Sequence, residues 1–568
     1  MREATGATPP RFPGSGRRFA SGRPACYRDC VTESVQTSAP ERETWGRRSA
    51  FIIAAISSAV GLGNIWRFPG VAYENGGGAF LIPYLVAFLT AGLPILFLDS
   101  AIGHKFRAAP PLAFKRLNRK AEPLGWWQVG VSFLILTYYA VIIAWALGFV
   151  WFSFGRQWGD DAVGFFTGDY LQLADAPGVT LDFVPAVLIT LLIVWIAAIV
   201  VMSLGLRRGL DRANRITLPL LVIVFVIIVI YAMTLPGAWD GINQFFEPDF
   251  AALAHPGVWL AAYGHIFFSF SIAFGIMLTY ASYMKRRSDL AGSGVVVAFA
   301  NCAFEILAGI GVFAALGFLA YTQNVQIDDL EGLSGVALAF MTFPTLLSEM
   351  PGGAFMGVLF FGSLVLAGFS SLLSIYQVVT GALQDKTGWS TRRVAVTVGL
   401  AAGIPSVLLF GTSSGLNVLD VLDAFVNNIG VTGSAVATLV LVAWVFRAVP
   451  SLRAHLNALS SLKLGPIWTV AVTAITPVIL AIILVRGATE YLTAGYGGFP
   501  TWFVTTIGWG AIALLAVFSF AMSYRAYRRS DATSFVPDEP DRLRTEMTDL
   551  IAEARETTAQ RRTTGGTR

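Results

Sequence analysis

The sequence predicts an all-α polytopic membrane protein. Twelve transmembrane helices are expected, two of them broken at mid-span, with ten in two inverted five-helix halves and two appended. Three observations carry that prediction. The 568 residues are 55% hydrophobic and only 13% charged, whereas a soluble domain is about a quarter charged. The loops between apolar segments alternate between rich and nearly devoid of Lys and Arg. Two apolar segments, the first and the sixth, place Gly, Asn and Ser at mid-span, where backbone facing lipid would go unsatisfied. A soluble α-domain would need charged helix faces, and stretches such as 220–231 carry no charge on any face.

Residues 1–48 are rich in Arg, Pro, Ser, Gly and Thr and hold no apolar h-region. They read as a disordered cytoplasmic tail and not as a signal peptide. Cys26 and Cys30 form a Cys-x3-Cys pair with no matching partners, a weak basis for a metal or a disulfide. Cys302 lies in an apolar span and reads as inert packing.

The twelve apolar cores are 50–71, 79–102, 126–154, 183–204, 216–235, 258–284, 294–320, 354–384, 394–410, 418–446, 466–485 and 502–523. They group into a first repeat over 49–235, an inverted second repeat over 257–446 and two accessory spans over 464–528. Residues 529–568 form a charged cytoplasmic tail. Segment 321–353, with the apolar run 336–347, is expected to cap the outer vestibule.

Loop charge supports this order. Arg47 and Arg48 lie on one side, as do Lys105, Arg116, Arg207, Arg208, Lys285, Arg287, Lys386, Arg393, Arg453 and Arg525. Each group is two spans from the next, while the opposite loops 72–78, 235–257, 321–353 and 411–417 contain no Lys or Arg. The positive-inside rule then puts both termini in the cytoplasm, with the protein in the plasma membrane. The net charge of +5 belongs to this topology, and nucleic acid is not an expected partner.

The first break runs Ser57-Ser58-Ala59-Val60-Gly61-Leu62-Gly63-Asn64-Ile65-Trp66-Arg67-Phe68-Pro69. Glycine and proline weaken a helix interior, and Asn and Arg are expensive in hydrocarbon. Such a stretch is expected to unwind and to offer freed carbonyls and amides to something polar. The second break lies around His265, Phe268, Ser269, Ser271, Phe274 and Gly275. An odd number of spans per unit turns the second unit upside down, so the two breaks meet near the bilayer midplane.

The motif Ala59-Val60-Gly61-Leu62-Gly63-Asn64, then Trp66-Arg67-Phe68-Pro69, Glu74-Asn75-Gly76-Gly77-Gly78 and Pro83-Tyr84 resembles the neurotransmitter:sodium symporter family, and most nearly its bacterial LeuT-type amino-acid transporters. The likeness continues through Thr137-Tyr138-Tyr139, Thr279-Tyr280, Ala300-Asn301, Ala367-Gly368-Phe369-Ser370-Ser371 and Leu419-Asp420 with Asp423, over roughly residues 42–525. It implies a LeuT-like fold with broken helices 1 and 6, and inward symport of an amino acid with sodium ions.

The resemblance implies a first sodium site at Ala59, Asn64, Ser269 and Asn301, and a second at Ser57, Val60, Ala367, Ser370 and Ser371. It places the substrate against Ala59, Gly61, Gly63, Ile135, Tyr139, Phe268, Ser269, Ser271, Phe274, Ser371 and Ile375. Relatives that carry amines have Asp at the position of Gly61, so the glycine implies a substrate that brings its own carboxylate. The pocket is apolar and uncharged, which suits a neutral, hydrophobic amino acid. Ala273, where relatives have glycine, is expected to add a methyl group near the pocket.

Arg67 and Asp423 resemble an outer gate, with Phe268 and Tyr139 as an aromatic lid. Arg42 and Asp385, with Trp45 and Tyr283, resemble an inner one. Glu305 stands where chloride-dependent relatives carry a small hydroxyl residue. It is expected to make transport chloride-independent and to be a site where a proton binds, with His265 and Tyr84 beside it. Asp99 replaces the usual glutamate of the second span. A non-transporting amino-acid sensor on the same fold is the alternative. A channel fits less well, because the polar residues converge on one spot, and no nucleophile–base pair or metal-ligand cluster argues for an enzyme. The expected partners are the amino acid and the bilayer, with a homodimer left open.

Overall fold

The computed structural model describes residues 43–330 and 335–528, together with 535, 537 and 539. Arg42, Cys26, Cys30 and most of both tails fall outside the described residues. Among the described residues the chain is nearly all helix. Helices α1 (Arg48–Ala59) and α2 (Leu62–Glu74) form a bent pair with 51° between them. α3 spans Gly78–Phe106, the short α4 spans Pro110–Leu117 and α5 spans Arg119–Ser153. α6 (Pro185–Ser203) and α7 (Leu206–Ala232) complete the first half.

A short α8 (Ala238–Phe246) leads to α9 (Pro256–Ser269) and α10 (Ile276–Ser282). α11 spans Leu290–Gln323, and the short apolar α12 covers Gly335–Glu349, where the cap was expected. α13 (Gly353–Thr387), α14 (Thr391–Phe410) and α15 (Gly415–Val445) follow. After α16 (Val449–Leu459) come α17 (Pro466–Thr493) and α18 (Thr501–Tyr524).

Ten of these helices are long and apolar enough to cross a membrane, and the bent pair makes eleven. This is a multi-pass membrane protein. The expected twelfth span is the pair α9 and α10, neither of which reaches that length alone. At 1.5 Å per residue, 14 and 7 helical residues rise about 21 and 10 Å. Together with the unwound link they compare with about 30 Å of hydrocarbon.

The two breaks are held by side chains from other helices, as backbone in a low-dielectric interior requires. α1 ends at Val60, whose ψ of 90° leaves the helical region. α2 restarts at Leu62, and the Asn64 side chain accepts a hydrogen bond from the Gly61 amide (3.1 Å), capping the new helix from its first turn. The link between α9 and α10 is more distorted. Ser271, Ala273 and Gly275 all have positive φ (50°, 65° and 93°), a conformation that costs a non-glycine residue about 1 kcal/mol or more. Three side chains hold this link. Asp99 on α3 accepts from the Ala273 amide (3.1 Å), Ser434 on α15 donates to the Ala273 carbonyl (2.6 Å), and Ser132 on α5 donates to the Phe274 carbonyl (2.7 Å).

At one end of the bundle a buried ion cluster joins distant parts of the chain. The Glu122 carboxylate takes Lys115 (2.7 Å) and Lys386 (2.7 Å) on separate oxygens, and Trp126 Nε1 also donates to it (3.2 Å). The Tyr527 ring covers both ammonium groups, at 4.6 and 4.1 Å. The Arg528 amide donates to the Lys386 carbonyl (3.1 Å). The segment after the last helix is thereby fastened to α4, α5 and α13.

Candidate substrate and ion site

The two breaks face one cavity of about 630 Å³ that runs from the middle of the bundle to Arg67, Asp420, Asp423 and Tyr496. Every residue assigned to the substrate on sequence grounds lines it. Gly61 and Gly63 face different neighbours. A Cβ at Gly61 would lie 3.0 Å from Ser371 Oγ and 3.3 Å from the Tyr139 hydroxyl, so this glycine keeps a polar corner open. The Leu62 amide donates to the Tyr139 hydroxyl at the same corner (3.5 Å). A Cβ at Gly63 would lie only 2.4 Å from Phe268 Cε1. The space on the side of its missing Cβ is therefore filled by an aromatic ring. Ala273 is buried and absent from the cavity wall. Its methyl group adds nothing to the pocket surface, and the effect of the residue is on the backbone of the link.

Two clusters of oxygen atoms flank the first break. In one, Asn64 Nδ2 donates to Asn301 Oδ1 (2.9 Å), and Asn301 Nδ2 donates to Ser269 Oγ (2.6 Å). Ser269 Oγ then donates to Glu305 Oε1 (2.5 Å). His265 Nε2 shares that carboxylate oxygen (2.9 Å), while the Tyr84 hydroxyl donates to Oε2. Glu305 and His265 are fully buried. In the other, Ser370 Oγ donates to the carbonyls of Ser57 and Ala367 (both 3.0 Å). Ser371 Oγ reaches the carbonyls of Ser57 (3.4 Å) and Ser58 (3.3 Å). Val60 is buried at the break beside them. Side chains from α2, α3, α9 and α11 thus meet in the first cluster, and hydroxyls of α13 meet backbone carbonyls of α1 in the second.

The sequence profile of the sodium:neurotransmitter symporter family matches residues 42–162 and 156–529. The chain belongs to that family. A sodium-dependent transporter of Methanocaldococcus jannaschii, itself uncharacterized, is 40% identical over 469 residues, 82% of this chain and 94% of its own. The human sodium- and chloride-dependent neutral and basic amino acid transporter B(0+) is 26% identical over 545 residues, 84% of each chain. Among solved structures, MhsT in complex with L-phenylalanine superposes with a TM-score of 0.67 at 29% identity, covering 79% of this chain and 100% of its own. The chain is accordingly a LeuT-fold, sodium-dependent solute transporter, and not an enzyme.

In this symporter the two ends of the cavity differ. At the Arg67 end the guanidinium lies 4.6 Å over the Phe268 ring. Asp423 Oδ1 instead accepts from Asn427 Nδ2 (2.7 Å), and no ion pair joins Arg67 to Asp423 among the described residues. The cavity is open between them. At the other end Trp45 is buried, with its amide donating to the Tyr283 carbonyl and its Nε1 to the Tyr280 carbonyl (both 2.9 Å). The Tyr283 hydroxyl accepts from Gln377 (2.8 Å). Asp385 accepts from the Ala109 amide (2.7 Å), and its expected partner Arg42 lies outside the described residues. One side is open and the other closed.

Two features of the symporter's vestibule were not anticipated. Tyr496 donates to Asp420 (2.8 Å), and burial together with that carboxylate pushes its phenol up. Tyr138 also lines the cavity. Tyr138 stands next to Tyr139 in the sequence, but helical geometry gives no sign that neighbouring side chains share one wall. Tyr496 lies in a loop between accessory spans, where no pattern marked it.

Proposed function

We propose that this protein carries a neutral, hydrophobic amino acid into the cell with sodium, by alternating access and without chloride. The observation that carries the reading is the convergence at the first break. The start of α2, the Tyr139 hydroxyl and the bare face of Gly61 meet at one corner of the cavity. An anion is favoured at a helix start, and a substrate carboxylate there would lie next to the Asn64–Asn301–Ser269 cluster. A sodium ion held by Ala59, Asn64, Ser269 and Asn301 would share that carboxylate. A second ion would be held by Ser57, Val60, Ala367, Ser370 and Ser371. Sodium and substrate then bind better together than apart, which is the basis of coupling.

The remaining walls, Ile135, Phe268, Phe274 and Ile375, are apolar and suit an uncharged side chain. Glu305 accepts three hydrogen bonds and would supply the fixed negative charge that chloride supplies elsewhere. The open Arg67–Asp423 end would face outwards and the closed Trp45 end the cytoplasm, with both termini inside. Repeats over 49–235 and 257–446 would rock against each other around the two breaks, while 464–528 form accessory spans.

The test uses the purified chain in potassium-loaded liposomes. Under an inward sodium gradient, labelled neutral amino acids should accumulate, and replacing external chloride with gluconate should change nothing. No accumulation of any neutral amino acid refutes the reading, and sodium-dependent binding without accumulation would make the protein a sensor.

A further inference from the structure

A second cavity, of about 330 Å³, lies at the closed end, between the start of α1 and the loop after α10. Its rim is basic, with Arg47, Arg48, Lys285 and Arg287. Its one carboxylate, Asp289, is already engaged. It accepts from Arg48 (3.3 Å), from the Gly292 amide (2.9 Å) and from Ser461 Oγ (2.7 Å). Arg47 and Lys285 are exposed, and their side chains have no hydrogen-bond or ion-pair partner among the described residues. The floor is apolar, formed by Trp45, Phe51 and Met284, all buried.

We infer that this cavity holds the phosphodiester headgroup of an anionic phospholipid from the cytoplasmic leaflet. Arginine and lysine at a membrane edge attract anionic headgroups, and guanidinium groups match phosphate oxygens in pairs. A free phosphate would use the same rim. The apolar floor favours a lipid, whose glycerol and first acyl carbons need such a surface. The inference rests on the orientation and the Trp45 gate proposed above.

The placement has a consequence for transport. Arg47, Arg48, Trp45 and Phe51 belong to α1 and its approach, whereas Met284, Lys285 and Arg287 follow α10. The Trp45 hydrogen bonds to Tyr280 and Tyr283 cross the same boundary. When the gate opens, α1 and α10 separate and the cavity is divided. A headgroup that bridges both sides binds the inner-closed state better, and a ligand shifts an equilibrium by its differential affinity. Anionic lipid therefore holds the outward-facing state, which binds external sodium.

The test compares the full chain in phosphatidylcholine liposomes with and without phosphatidylglycerol, by sodium titration of labelled amino-acid uptake. Vesicle charge itself concentrates sodium, so the comparison is made against variants. The wild type should need about five-fold less sodium for half-maximal uptake with the anionic lipid than the Arg47→Gln/Lys285→Gln variant does. The Arg208→Gln/Arg392→Gln variant, with the same net charge but both changes outside the cavity, should behave as wild type. All three should respond alike in pure phosphatidylcholine, which shows that each is folded. Equal sodium requirements in all three with anionic lipid overturn the inference. Glycerol phosphate reproducing the shift in neutral liposomes overturns the lipid assignment. An absence of uptake from every sample is a failure of the transport reading instead.

Discussion

Gly63→Ala should damage substrate binding through Phe268. The added Cβ would lie 2.4 Å from Phe268 Cε1 and 3.0 Å from Cδ1, and ordinary contact begins at 3.4 Å. The ring must therefore retreat by about 1 Å. The neighbouring free space is the cavity itself, so the ring moves into volume that a substrate needs. Overpacking of this kind costs about 1–3 kcal/mol, which corresponds to about 5- to 150-fold in affinity. Arg67 lies over the same ring and is displaced with it. Equilibrium binding of a labelled amino acid to the purified protein, in sodium, measures the loss. Phe268→Leu weakens binding by itself but removes the obstructing ring atoms, so the double variant should recover part of the loss, with a coupling of about 1 kcal/mol or more. Wild-type affinity in Gly63→Ala, or fully additive losses in the double variant, would refute the steric account.

Three further outcomes are expected. Asn301→Ala removes the partner of both Asn64 and Ser269, so sodium and substrate affinities should fall together by about ten-fold or more, as paired binding isotherms would show. Glu305→Ser leaves Tyr84, Ser269 and His265 without their shared acceptor. Uptake by this variant should require chloride, and comparison of chloride with gluconate buffers checks it. Trp45→Ala deletes the hydrogen bond to Tyr280 and a ring contact with 5.4 Å between centroids, a loss of about 3–5 kcal/mol for a buried tryptophan. The closed end should open, measured as faster maleimide labelling of Ser282→Cys from the cytoplasmic side.

The broken helices were legible because their residues are wrong for lipid. Gly61, Gly63 and Asn64 inside an apolar run point to unwinding by elementary energetics. The second break was legible in place but not in form. Ser271 and Ala273 adopt positive φ with no glycine to signal it, because Asp99, Ser132 and Ser434 impose that shape from other helices. The assembly of distant residues around Ser57 and Asn64 came from the family likeness, since spacing alone does not bring α11 to α2. Local reading also leaves the neighbour of Gly63 unnamed. A glycine records that something lies close, and only the fold reveals that the neighbour is the Phe268 ring. Likewise Arg67 and Asp423 are legible as a pair, but whether they touch depends on which end of the cavity is open.

The cluster of Lys115, Glu122, Lys386 and Tyr527 bears on the order in which the molecule is made. Lys115 and Glu122 leave the ribosome more than two hundred residues before Lys386, and Tyr527 comes last of all. Until then two ammonium groups share one carboxylate, with one face of each uncovered by the ring that finally lies 4.6 and 4.1 Å away. The cluster therefore records that synthesis has passed the final span. A chain ended after Tyr524 should keep every helix but melt at a lower temperature than the full chain. The Tyr527→Phe variant, which retains the ring, should not.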